Sequence, residues 1–123
     1  LRSPPLFDDD GPAVEKGYEV QIDDRGFDPE SQAIGSALHR TGAIYKLAPA
    51  VALLSAPVGA WNRFRIAARG RLITVELNGS EASRLEHGSR ALSGHVALQA
   101  HHEGSAVQFR DLRIAPWRSA RGP

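Results

Sequence analysis

A chain of 123 residues with 15 Lys and Arg against 14 Asp and Glu has a formal net charge of +1; the charges are spread without a basic run, which argues against nucleic acid or an anionic membrane as partner. Its 41% hydrophobic and 24% charged residues are the balance of one globular domain with a modest core. The absence of cysteine excludes disulfides and thiolate zinc sites, and the longest apolar stretch, 47–58, is broken by Pro49 and Pro57 and falls short of the roughly 20 residues that span a bilayer.

The chain opens on Leu1-Arg2-Ser3-Pro4-Pro5 and contains no methionine, which reads as a fragment or a processed product with no signal pattern. Pro4, Pro5, Asp8, Asp9, Asp10, Gly11 and Pro12 predict a solvated acidic loop. A calcium loop is disfavoured, because Leu6 stands where the EF-hand register requires a carboxylate. Tyr18 to Asp23 alternates as a strand, and the 24–40 segment that follows, with Gly26, Pro29 and Gly35, predicts a long loop of the kind that is usually functional or mobile. Thr41 to Tyr45 predicts a short strand; residues 47–54 are equally readable as loop or a single helical turn. Trp61 to Ala68 and Leu72 to Leu77 predict a hairpin closed near Arg69-Gly70, with Phe64, Ile66, Leu72, Val75 and Leu77 core or half-buried. Asn78-Gly79 predicts a type I′ turn, a reading that outweighs the glycosylation sequon Asn78-Gly79-Ser80. Ala82 to Leu85, Gly94 to His101 and Ala106 to Ile114 complete a set of short strands. The fold class expected is an all-β antiparallel sandwich.

Alternation places Glu19, Gln21 and Asp23 on one face of their strand and Tyr18, Val20 and Ile22 on the other. The same test on Gly94 to His101 turns Val96 and Leu98 inward and His95, Gln99 and His101 outward; Phe109 is then a core position and Arg110 a polar one. A plain solvated face accounts for part of this pattern. Its composition of Gln, His, Glu and Asp, rather than Lys, Thr and Ser, suits sugar hydroxyls and proton transfer. A metal set of Glu19, Asp23 and His101 is the alternative use of the same side chains, although no His-x-x-x-His pattern occurs. His87 reads as an exposed turn residue. Trp61 reads first as a packing residue and second as a sugar-stacking one. No nucleophile elbow, dinucleotide fingerprint or P-loop is present, so nucleotide cofactors are not expected.

Six segments in order, Gly17 to Asp23, Thr41 to Tyr45, Trp61-Asn62, Leu77 to Gly79, Gly94 to Gln99 and Phe109 to Ile114, resemble the 3-keto-disaccharide hydrolase family from Leu1 to about Ile114. The resemblance implies a concanavalin-like jelly-roll sandwich, related in shape to laminin-G domains, whose concave sheet holds a carbohydrate. It assigns residues 1–115 to a partial domain of that type and 116–123 to a C-terminal tail. It also implies that Leu1-Arg2 ends a segment whose preceding strands are missing, and that the protein is bacterial and extracytoplasmic, periplasmic or secreted.

The activity implied is hydrolysis of 3-keto-glycosides or 3-keto-disaccharides. A ketone at C3 acidifies the C2 proton; a base removes it, the C1 substituent leaves, and water adds to the enone. Chemistry and strand facing offer Glu19 or Asp23 as the base, His101 as a proton donor and Arg110 or Arg2 as partners for enolate charge. Gln21, Gln99 and Tyr45 are expected to orient hydroxyls. No cofactor is expected, a divalent metal being left open, and the partner expected is a carbohydrate. An ordinary retaining pair of carboxylates is disfavoured, since Glu19 and Asp23 are about 13 Å apart along an extended strand. A non-catalytic carbohydrate-binding module and a purely structural domain are the competing readings.

Overall fold

Apolar and polar residues alternate most strictly between Phe64 and Leu85, and there the chain builds its sheet. A computed structural model describes residues 1–5, 11–100 and 103–118. In it β1 (Phe64–Arg69), β2 (Leu72–Leu77) and β3 (Ser80–Leu85) form an antiparallel sheet in the order β1-β2-β3. Every second residue of β2 is buried: Ile73, Val75 and Leu77 point into the core, while Leu72, Thr74 and Glu76 are half-buried on the other face. The remainder of the core is Tyr18, Ile44, Ala48 and Ala82, with Leu1, Val20, Leu54, Phe64, Ala68 and Leu85 packed against it.

The turn between β2 and β3 is the one that Asn-Gly predicts. Asn78 and Gly79 have φ of 52° and 88°, the paired positive values of a type I′ turn. The Asn78 side chain is fully occupied: Oδ1 accepts from the Arg63 amide at 2.9 Å, and Nδ2 donates to the Leu54 carbonyl at 3.0 Å and to Asn62 Oδ1 at 2.8 Å. The nitrogen that a glycan would need is thus already a structural donor. Asn78→Ala is expected to lower the unfolding free energy by about 1–2 kcal/mol, by losing these bonds and the tolerance of positive φ; urea denaturation measures it.

A bulge in β3 joins the sheet to the segment before it. Val75 pairs with Ser83 but Glu76 pairs with Glu81, so Ala82 is the extra residue. Its carbonyl accepts from the Val51 amide at 2.8 Å, and the buried Ser83 hydroxyl donates to the Gly42 carbonyl at 2.7 Å. Ala82 lies against Gly42, where φ is +91° and an added Cβ would come within 2.9 Å of the Ala82 methyl carbon.

Residues 19–23 and 41–45 run antiparallel beside this core. Val20 bridges Ile44; the Tyr45 amide donates to Glu19 at 2.9 Å, Gln21 to Ala43 at 3.0 Å and Thr41 to Asp23 at 3.0 Å. Tyr18 is buried as alternation predicts, its hydroxyl accepting from the Arg90 amide at 2.8 Å. Ile22 is not; it is 52% exposed, because the pairing partner at this end is Gly42, which has no side chain to pack beside it.

The described residues are rich in strands and extended segments and have almost no helix, an all-β outcome reached among them with one open sheet. The helix α1 (Gly11–Lys16) replaces the end of the predicted loop. Its brevity hides it from periodicity; it is held from outside, with Arg90 Nη1 donating to the carbonyls of Val14 and Gly17 at 2.7 and 2.9 Å. Leu6, Asp8, Asp9 and Asp10 lie outside the described residues. Residues 47–54 are extended after a turn and not helical. β1 begins at Phe64, not Trp61, and Ile66, on the core face across from Val75, is nonetheless 37% exposed.

The predicted strands at Gly94 and Ala106 are corrected more strongly. His95 bridges Ser3 through two hydrogen bonds of 2.8 and 3.0 Å, and beyond it the described part of 94–114 forms no ladder. Val96, Leu98 and Phe109, expected inside, are 54%, 50% and 39% exposed. Alternation records which faces differ, whereas a strand also requires a neighbour's main chain; these segments have the first without the second.

Candidate functional site

The ladder of 19–23 with 41–45 has one face on the core, through Val20 and Ile44, and so turns Glu19, Gln21, Tyr45 and Asp23 to the other. Glu19, Gln21 and Tyr45 are each half-buried there. Tyr45 is directly across from Glu19 and Gln21 is one step along, so a carboxylate, an amide and a phenol share one small surface. These groups can take a proton, accept or donate to hydroxyls, and orient a polar ring.

Asp23 shares the face but its carboxylate is engaged locally. Oδ1 accepts from the Arg25 amide at 3.0 Å and lies 3.4 Å from Arg25 Nε, and Oδ2 accepts from the Phe27 amide at 3.2 Å. It starts the 24–40 loop as an Asx turn does.

That loop is folded onto the ladder. Gly35 donates to Arg25 at 2.7 Å, Ser36 to Gly26 at 3.0 Å, Lys46 to Leu38 at 3.1 Å and Ala50 to Ala37 at 2.9 Å. Thr41 and Ser55 both donate to Asp24 Oδ1, at 2.6 and 2.7 Å. Within it the Glu30 amide and the Ser31 hydroxyl donate to Asp28, and with the nearby His39 hold its carboxyl below the usual carboxylate range. Lys46 pairs with Glu30 at 3.0 Å, which raises the lysine's pKa. His39 itself is buried, its ring perpendicular to that of Tyr45 at a centroid distance of 5.0 Å. Strand alternation does not extend into a loop, so the sequence signal available for His39 was only the length of the loop.

The other predicted residues lie elsewhere. Arg2 Nη1 donates to the Gly70 and Ala91 carbonyls at 2.5 and 3.5 Å, tying the first residues to the β1–β2 turn. Gln99 is exposed on the unladdered segment. Arg110 lies 4.0 Å over the Trp61 ring and 3.7 Å from Asp111, so Trp61 stacks on a guanidinium. His101 lies outside the described residues, and His87 is exposed. Among the described residues no group of three or more His, Cys, Asp or Glu is arranged to hold a metal ion, and no helix is long and apolar enough to cross a membrane.

The outer face of the sheet carries a shallow cleft of about 250 Å³ floored by Ala67 and Thr74. Most of its charges are already engaged: Arg84 pairs with Glu81 at 3.0 Å, lowering the Glu81 pKa, Arg65 lies 3.7 Å from Glu76, and the third arginine, Arg69, stacks over the Trp117 ring. The ladder face, with its unlike polar groups in register, is therefore the candidate site.

The strands and extended segments, with almost no helix among the described residues, define an all-β domain. Residues 1–115 match the model of the 3-keto-alpha-glucoside-1,2-lyase-like domain family, and the chain belongs to that family. No curated protein and no solved structure matches it.

Proposed function

We propose that this chain carries a site for cleaving 3-keto-glycosides by elimination and hydration, built on a domain of concanavalin-like jelly-roll type spanning about 1–115. The observation that carries the proposal is the register that sets the Glu19 carboxylate across from Tyr45, with Gln21 beside it, in a chain matching a family named for this chemistry.

Glu19 takes the C2 proton of the 3-keto sugar. The C2–H electron pair becomes the enolate C2=C3 bond; it then forms C1=C2 as the C1–O bond breaks, restoring the ketone and releasing the aglycone oxygen to be protonated. Water adds at C1 and C2 regains a proton, so the balance is one water consumed per glycosidic bond. Gln21 and Tyr45 donate to sugar oxygens. Chemistry and strand facing, not the family match, offer His101 as the proton donor, Arg2 or Arg110 beside the enolate and Gln99 toward a hydroxyl. No cofactor is required by this route.

The test is release of aglycone from a 3-keto-glucoside against the unoxidised glucoside. Release from the oxidised compound alone is expected. Measurable glycan binding with release from neither would replace the hydrolase by a carbohydrate-binding module.

A further inference from the structure

The ladder face is assembled from two short antiparallel segments, yet the orientation of one of its side chains is set by the loop. His39 is 5% exposed and hydrogen-bonded at one ring nitrogen. Nδ1 is 2.7 Å from Ser36 Oγ, and Nε2 is 3.7 Å from Asp28 Oδ1, too long for a hydrogen bond. The carboxylate beside Nε2 favours the tautomer protonated there, with Nδ1 accepting from the Ser36 hydroxyl. Nε2 is buried without a hydrogen-bond partner. Such an orphan is destabilising, so satisfying its own polar atoms is not what fixes this ring in place.

What the ring does contact is Tyr45, edge to face with planes at 86°, one of the two favoured aromatic geometries. Lys46 Nζ lies 5.7 Å from the centroid of the same phenol and is fixed by Glu30. Both Asp28 and Glu30 belong to the 24–40 loop, and the loop's main chain is bonded to residues 46 and 50. The Tyr45 ring is therefore bounded by groups that the loop supplies.

We propose that His39, bonded to Ser36 and lying beside Asp28, is a positioning residue of the site: its ring, perpendicular to that of Tyr45, fixes the phenol on the face it shares with Glu19 and Gln21, so that the phenol meets a sugar hydroxyl. This inference rests on the 3-keto-glycoside reading and adds to it a residue from outside the ladder. Since His39 acts through Tyr45 on binding, its loss falls on KM.

Two substitutions separate orientation from mere filling of space. His39→Leu keeps bulk and removes the ring; it is expected to raise KM for a 3-keto-glucoside about tenfold with kcat within about threefold. His39→Phe keeps a ring and is expected to return KM to within about twofold of the wild type. The chain has two tyrosines, so ring-labelled tyrosine gives two resolvable signals. The Tyr45 ring resonances should move in His39→Leu and return in His39→Phe, with Tyr18 unchanged. Ser36→Ala, which leaves the ring but removes its bond to Ser36, should raise KM about threefold and serves if His39→Leu does not fold.

Equal KM for the Leu and Phe variants, or a Tyr45 signal unmoved in His39→Leu, overturns the assignment. If the wild type releases no aglycone, the hydrolase reading alone fails. The Tyr45 resonances and the Kd for the 3-keto-glucoside then decide the His39 assignment by the same ordering of variants.

Discussion

Glu19→Gln is expected to cut aglycone release from a 3-keto-glucoside by about 10²–10⁴-fold, the range that a positioned general base supplies. The amide preserves shape and hydrogen-bonding reach but cannot take the C2 proton, so KM should change little while kcat falls. The Tyr45-to-Glu19 bond uses main-chain atoms, which the substitution leaves in place. Asp23→Asn is the contrast. Its carboxylate serves the Arg25 and Phe27 amides, so its loss is expected to loosen the loop and to cost much less in kcat. If Asp23→Asn abolished turnover and Glu19→Gln did not, the base would have to be reassigned to Asp23.

Gly42→Ala is expected to be strongly destabilising. The position combines φ of +91° with an approach of 2.9 Å between the new Cβ and Ala82 and 3.5 Å to Leu77 Cδ2. Backbone strain of about 1 kcal/mol and overpacking of about 1–3 kcal/mol give a loss of about 2–4 kcal/mol, read from chemical denaturation. Gly35→Ala separates the two contributions: its φ is +88° but nothing lies within 4 Å of the added atom, so the backbone cost of about 1 kcal/mol remains alone. Comparable losses at the two positions would show that the Ala82 contact relaxes freely and that the junction is not tightly packed.

The hairpin was legible in the sequence because its information is local. Asn78-Gly79 encodes its turn in two residues, and the alternation of Ile73, Val75 and Leu77 matches their burial. The ladder face was legible for the same reason, since alternation sorts Glu19, Gln21 and Val20 without reference to any other segment. Three things required information from elsewhere in the chain. α1 depends on Arg90, more than seventy residues away in sequence, to receive its carbonyls. The Ala82 bulge follows from the demand of Gly42 and Val51 for partners, and a strict alternation of β3 would not show it. His39 reaches Tyr45 through the folded path of the loop. The exposed segment from Val96 to Ile114 shows the converse case, in which a correct period did not yield strands because a ladder needs two main chains.

The Gly42–Ala82 contact also bears on how the sequence can drift. The hydrogen at Gly42 occupies no room, and the Ala82 methyl takes the space that any other residue at 42 would need. Substitutions at 42 and 82 are therefore epistatic: Ala82→Gly, mildly costly by itself, would make room for a side chain at 42, whereas enlarging either residue alone is penalised. Because the Gly42 carbonyl also receives the Ser83 hydroxyl, variation there is constrained from the sheet side as well. Directed variation of residue 45 would best begin with 42, 82 and 83 held fixed.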